Sequence, residues 1–284
     1  MLNVKWLEDN VSAIRQSKPR LFGAFLLLKV SIIVLYYFAT RCKSLTCWSI
    51  KPTPCYVITL PGQEERVANM KGLFKKYANL NVSPFYGVNG RKMYTGAEGK
   101  YLLPGEIGLR DSMKNIYTMA IEKKYKAMFV FEDDAIPHRN FTKLFENLPE
   151  RCREADVLLL GATLNYSKKR KLWEKACFDV PKVAWGAFAL YVKSTAFKPI
   201  VDWLMEMDLN PFDSVYEVLQ GEGLKVRVAY PPFLVIADVS HPSSVNPYRG
   251  IDRLPMHERA ELHKWNLEDY PMSEMSIEID QEKE

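Results

Sequence analysis

The run Met128-Phe-Val-Phe131 ends abruptly in three acids, Glu132-Asp133-Asp134. Four consecutive large apolar residues preceded by Lys126-Ala127 read as a strand buried on both faces, because a one-sided strand would alternate apolar with polar. The acids must then stand just beyond the end of a core strand. Few folds accept that junction. Around it, Cys55–Leu60, Val82–Val88, Asp156–Leu160, Ala187–Val192, Leu224–Val228 and Phe233–Ile236 read as further strands. Between them lie helical stripes: Val67, Met70, Phe74 and Tyr77; then Leu109, Met113, Ile116 and Ala120, starting near Pro104-Gly105-Glu106; then Phe141–Leu148 and Thr195–Met205. Strand and helix in alternation predict an α/β fold, a Rossmann-like mostly parallel sheet flanked by helices.

In open α/β sheets, ligands gather beyond the carboxyl ends of the strands. Three adjacent carboxylates there repel one another and lose hydration, and a divalent cation relieves both costs. Oxygen ligands suit Mg2+ or Mn2+. In extended chain Glu132 and Asp134 share one face and Asp133 points to the other, so a metal and a hydroxyl group can be handled by separate carboxylates. The plainer reading is that the acids cap the next loop or helix.

A second contrast lies near the N-terminus. From Leu21 to Phe38 only Lys29 and Ser31 are strongly polar. As a helix this run spans roughly 27 Å, enough for a thin bilayer. Lys29 costs about 2.5–3.5 kcal/mol at mid-helix, which roughly ten apolar neighbours at about −0.3 to −0.6 kcal/mol each offset. A cleaved signal peptide fits less well, since the leader is long and no A-x-A site follows. The expectation is one transmembrane helix over residues 21–40, after a tail of residues 1–20 and before a Pro-bearing stem of residues 41–54. Lys5, Arg15, Lys18 and Arg20 before the span, against Arg41, Lys43 and Lys51 after it, favour a single-pass type II membrane protein with a cytoplasmic N-terminus. Asn81, Asn140 and Asn165 head Asn-x-Ser/Thr tripeptides open to glycosylation in a lumen. The five cysteines, at 42, 47, 55, 152 and 177, form no CxxC and match no zinc pattern. They read as unpaired or casually paired thiols, with Cys42 a palmitoylation candidate.

Residues 55–273 are left as one domain, and residues 274–284, rich in acids, as a solvated tail. The net charge of +5, from 39 basic and 34 acidic residues, is too small and dispersed for nucleic acid.

The acid run in Phe131-Glu-Asp-Asp-Ala135 resembles the DxD-type metal motif of nucleotide-sugar transferases with the GT-A fold. The order of segments resembles glycosyltransferase family 25, which includes lipooligosaccharide and collagen galactosyltransferases. The segments that carry it are Tyr56-Val-Ile-Thr-Leu60 with Glu64-Glu-Arg66, Pro84-Phe-Tyr-Gly-Val-Asn-Gly90, Leu103-Pro-Gly-Glu-Ile-Gly-Leu-Arg-Asp-Ser112 and Val157-Leu-Leu-Leu-Gly161. Trp185-Gly-Ala-Phe-Ala-Leu-Tyr-Val192, Pro211-Phe-Asp213 and Val239-Ser-His-Pro-Ser-Ser244 follow in order. The resemblance covers about residues 55–245. The chain departs from it at Ser112-Met113, where the family has Ser-His, and at Leu109, where it has Cys.

The resemblance implies transfer of a hexose (galactose, glucose or N-acetylhexosamine type) from a UDP-sugar to a hydroxyl of a glycan, glycolipid or glycoprotein acceptor, with inversion. It assigns Asp134 and His241 to Mn2+ or Mg2+, with Glu132 and Asp133 on ribose, sugar or metal-bound water. Thr59 and Arg66 would line the nucleotide pocket, and Asp213 would be the base on the acceptor hydroxyl. Arg66 also fits an exposed helix arginine, His241 a surface loop, and Asp213 a helix N-cap. Lys168-Lys-Arg-Lys171 reads as a solvated basic loop or a patch for an anionic acceptor. A non-catalytic membrane-anchored adhesion or scaffold protein that keeps the fold is the competing reading, with Met113 as its support. A metal phosphohydrolase using the same acids ranks below both.

Overall fold

The computed structural model describes residues 53–93, 102–164, 177–180, 184–206, 210–238 and 256–274. The expected tail, anchor and most of the stem, together with His241, Asn165 and the basic loop at 168–171, lie outside the described residues. No helix among the described residues is long and apolar enough to cross a membrane.

Eleven strands occur among the described residues: Cys55–Thr59 (β1), Ser83–Tyr86 (β2), Ala127–Glu132 (β3), Ala135–Pro137 (β4), Val157–Leu159 (β5), Thr163–Leu164 (β6), Phe178–Asp179 (β7), Ala184–Trp185 (β8), Ala189–Lys193 (β9), Val226–Val228 (β10) and Val235–Ala237 (β11). The principal helices are Glu64–Leu73 (α1), Pro104–Glu122 (α2), Phe141–Glu146 (α3), Ser194–Glu206 (α4), Val215–Gly221 (α5) and Met256–His263 (α6). Seven strands form the central sheet in the order β2-β1-β3-β9-β5-β10-β7. β2, β1, β3, β5 and β10 run one way, while β9 and β7 run against them. The mostly parallel sheet is therefore present, with β9 reversed at its centre. Between β5 and β9 the chain contributes β6, the edge strand β7 and β8, which pairs antiparallel with β6.

The burial that the apolar run demanded is met on both faces. Phe129 and Phe131 project to one face, where Phe131 meets Phe74 at 4.3 Å between ring centroids and Phe129 meets Phe145 at 5.3 Å. Alternation sends Met128 and Val130 to the other face, and all four side chains are inaccessible to solvent. Helices α2 and α4 pack on each other through Tyr117 and Phe197.

Several elements differ from the sequence reading. The stripe Val67–Tyr77 is an α-helix only to Leu73; a wider π-helical turn, Phe74–Ala78, follows and stops at left-handed Asn79 (φ 52°). The extra residue in that turn puts Phe74 and Ala78 both inside. β2 ends at Tyr86; Gly87 N–H still reaches the Thr59 carbonyl of β1, and Val88 N–H turns to Ser112 on α2. Strand β11 is not in the central sheet; it pairs antiparallel with β4, directly beyond the acids. Cys152 and Cys177 form a disulfide with Cα atoms 5.4 Å apart, and Cys55 is a buried free thiol. Glu274, read as the start of a solvated tail, is tied down: it accepts from Lys76 at 2.9 Å and Tyr77 at 2.5 Å.

Gly72 is exposed on α1, and a Cβ there would meet nothing within 4 Å. Gly72→Ala is expected to stabilise the protein by about 0.5–1 kcal/mol through helix propensity and a less flexible unfolded chain. A thermal melt reads this as a small rise; a fall would contradict it.

Candidate functional site

The acid run sits where the parallel strands end. β1 and β3 are in register with Ile58 opposite Glu132, so Thr59 falls beside Asp133. The Thr59 hydroxyl donates to Asp133 Oδ2 at 2.8 Å, and the Arg66 guanidinium lies 3.4 Å from Asp133 Oδ1. Three residues singled out in the sequence thus form one unit: β1, α1 and the end of β3 converge on a single carboxylate. Asp133 has both oxygens engaged, and its neighbours do not.

Asp134 carries a buried Oδ1 that makes no hydrogen bond. Burial first, and then the charge of Asp133, push its carboxyl up to about 7. Glu132 is raised well above the ordinary range, chiefly by burial and then by Asp134, Asp133 and Asp213. Asp213 belongs to a 3-10 turn, Phe212–Ser214, leading into α5. Its Oδ2 accepts from the backbone N–H of Gly186 at 3.4 Å, and Tyr216 Oη donates to the Gly186 carbonyl at 3.0 Å. It does not cap α5. Thr59 and Arg66 hold Asp133, and the charge of Asp213 adds to the upward push on Glu132.

A cleft of about 240 Å³ opens beside them, lined by Thr59, Gln63, Arg91, Glu132 and Asp133 among others. Its far wall explains the middle motif segments. Gly87 N–H donates to the Thr59 carbonyl at 2.8 Å, and Val88 N–H donates to Ser112 Oγ at 2.8 Å. Ser112 in turn donates to the Gly108 carbonyl at 2.6 Å, on α2. Glu106 accepts from Leu103 N–H at 2.9 Å and closes the first turn of that helix. At Gly90 a Cβ would stand 1.7 Å from the Pro104 carbonyl oxygen, and at Gly108 one would stand 2.6 Å from both Gly90 N and the Val88 oxygen. These glycines let the loop after β2 lie flat on α2. Met113 is fully buried and lines no part of the cleft. Its departure from the family pattern is a change of core packing, and the adhesion or scaffold reading loses the support it drew from that residue.

Sequence reasoning missed Asp238. It follows β11 at 5% exposure, and its N–H donates to the Asp134 carbonyl at 2.6 Å. Its signal was an acid directly after Leu234-Val-Ile-Ala237, the same strand-then-acid junction as at 131–132.

Among the described residues no group of three or more His, Cys, Asp or Glu side chains is arranged to hold a metal by itself. The donors still fit Mg2+ or Mn2+. Such ions are commonly held by one or two carboxylates while substrate phosphates and water complete the shell. The unbonded, buried Asp134 Oδ1 is the atom best suited to face one.

The family model described as glycosyltransferase family 25 (LPS biosynthesis protein) matches residues 53–183. The solved structure of a glycosyltransferase involved in the glycosylation of the major capsid of PBCV-1 is similar at 14% identity, over 74% of this chain and 99% of that one, with a TM-score of 0.36. No curated protein sequence matches.

Proposed function

We propose, from the match of residues 53–183 to the glycosyltransferase family 25 model, that this protein is a membrane-anchored and metal-dependent glycosyltransferase. In this reading it moves a hexose from a UDP-sugar to a hydroxyl of a glycan, glycolipid or glycoprotein. The observation that carries the reading is the acid run at the mouth of the cleft, with Asp133 clamped by Thr59 and Arg66 and Asp134 left with an unbonded buried oxygen. The nucleotide takes the cleft beyond the strand ends, near Arg66, whose charge attracts phosphate. Asp133, once clamped, fixes the backbone that aims Glu132 and Asp134. A cation bound at Asp134 supplies Lewis-acid neutralisation of the leaving diphosphate. Asp213 accepts the proton of the acceptor hydroxyl on a carboxylate oxygen, which requires contact of about 2.6–3.2 Å. Its charge is felt at Glu132, which supports a place near the acid run.

Residues 21–40 anchor the enzyme in this reading, with the N-terminus cytoplasmic. The Cys152–Cys177 disulfide supports a catalytic domain on the oxidising side of the membrane. Asn81 and Asn140 are both exposed there. His241, as a further ligand, remains part of the proposal.

The test is a screen of UDP-sugars against the full chain in detergent, reading released UDP with Mn2+ and with EDTA. One donor should be hydrolysed slowly without acceptor and only with Mn2+. Equal turnover in EDTA would sink the metal assignment. If no donor turns over and calorimetry detects no UDP binding with Mn2+, the donor assignment falls.

A further inference from the structure

Two of the motif segments meet at one glycine. Trp185-Gly-Ala-Phe-Ala-Leu-Tyr-Val192 leads into β9, and Pro211-Phe-Asp213 leads into α5. The peptide unit before the Gly186 α-carbon donates its N–H to Asp213 Oδ2 at 3.4 Å, and the unit after it accepts from Tyr216 Oη at 3.0 Å. Two side chains three positions apart in the chain, a spacing that shares one face of a helical turn, therefore hold Gly186 from both sides. A side chain at this position is disfavoured, since the φ of 117° is one that L residues rarely adopt and a Cβ would stand 2.9 Å from the Phe188 ring.

Tyr216 is a permanent donor. It is fully buried, with its ring edge-on to Phe212 at 6.1 Å between centroids. Burial first, and then the charge of Asp213, push its phenol well above the ordinary range, so it keeps its proton. Asp213 is only half-buried. A half-buried carboxylate can swing about its side-chain torsions, yet a base must meet its hydroxyl at about 2.6–3.2 Å. Misplacement by about 1 Å can cost about 10²-fold. Gly186 has a firm anchor. Two residues on, the Phe188 carbonyl accepts from Glu132 N–H at 2.9 Å, where β9 pairs with β3. Tyr216, Gly186 and Asp213 thus form a hydrogen-bonded chain tied to the strand that carries the acids.

We propose that Tyr216 is a positioning residue for Asp213: its hydroxyl sets the Gly186 backbone, and the Gly186 N–H aims the carboxylate at the acceptor hydroxyl. Tyr216 acts only through Asp213 and touches no substrate. This rests on the reading of Asp213 as the base given above.

The test is the rate of UDP release from a UDP-sugar by the full chain in detergent with Mn2+, water serving as the accepting hydroxyl. Melting curves accompany it. Tyr216→Phe removes one oxygen and keeps the ring on Phe212. It should stay folded and lower kcat by about tenfold, with KM for the donor within about twofold of wild type. Asp213→Asn should lower kcat by about 10²-fold or more. In the Asp213→Asn background, Tyr216→Phe should cost nothing further, because a residue that works through another loses its effect when that other is gone. Losses that multiply in the double variant, or wild-type kcat in Tyr216→Phe beside a lost one in Asp213→Asn, would overturn the role of Tyr216 and leave Asp213 as the base. A raised KM at unchanged kcat, or loss of the folded state in Tyr216→Phe, would also overturn it by giving the hydroxyl a structural part. Wild-type kcat in Asp213→Asn would bring down the reading of Asp213 itself, and absence of turnover by wild type would bring down the donor assignment.

Discussion

Asp134→Asn is expected to lower kcat/KM for sugar transfer by about 10³-fold or more while the protein stays folded. Stabilisation of charge that develops on a leaving group is commonly the largest single contribution to such catalysis, and loss of even one such donor costs about 10²–10³-fold. Asp134 Oδ1 is buried and makes no hydrogen bond, so replacing it removes a ligand and breaks no hydrogen bond made by that atom. Its stability behaviour separates it from an ordinary surface acid. The folded carboxyl is pushed up to about 7 by burial and by Asp133, whereas in the unfolded chain it ionises near the ordinary value of about 3.9. Between those two pH values the folded state holds the proton that the unfolded state has released, so stability falls as pH rises from about 4 to about 7. The cation-free wild type should therefore melt higher near pH 5 than near pH 7, and Asp134→Asn should flatten that slope. Mn2+ should restore stability at pH 7 in wild type only. An Asn variant with near-wild-type turnover, or with an unchanged pH slope in EDTA, would contradict the assignment.

Thr59, Arg66 and Asp133 were each singled out in the sequence, but the first two were assigned to a nucleotide pocket, and that both hold Asp133 emerges only from the structure. Thr59 ends an apolar strand, Arg66 sits on the next helix, and Asp133 ends the other strand, so placing β1 beside β3 brings all three together. Asp213 was legible only through the family resemblance, and the structure places it close enough to raise Glu132. Asp238 was not legible, because its meaning depends on a three-residue ladder between β4 and β11. Neither strand is long enough to show periodicity, and Pro137 argues against a strand at all. For the same reason β6, β7 and β8, two residues each, gave no signal. The reversal of β9 also could not be read, since parallel and antiparallel buried strands are equally apolar and direction is decided by the connection. Ser112 and Gly108 were visible as motif positions, yet their work is to support the cleft wall, which emerges only when the loop after β2 meets α2.

That wall gives the largest expected loss of stability. Gly90→Ala places a Cβ 1.7 Å from the Pro104 carbonyl oxygen and 2.9 Å from Gly108 N. Both neighbours are backbone in the first turns of α2, and neither can rotate aside as a side chain would. The loop or the helix must shift bodily, and a cost of about 3–5 kcal/mol is expected, at the upper end for overpacking. For a domain of this size that is a fall in Tm on the order of 10 °C. Gly108→Ala meets the same contact from the other side, at 2.6 Å from Gly90 N. Once either substitution has forced the two backbones apart, the second has little left to disrupt, so the double variant should lose much less than the sum of the singles. Function should follow geometry: Gly90 lines the cleft beside Thr59 and Arg91, so surviving Gly90→Ala protein should show a raised KM for donor before kcat suffers. Gly72→Ala, with open space around its Cβ, controls for glycine replacement as such. Equal melting temperatures for Gly90→Ala and Gly72→Ala, or strict additivity at 90 and 108, would show that the loop and helix do not touch as described.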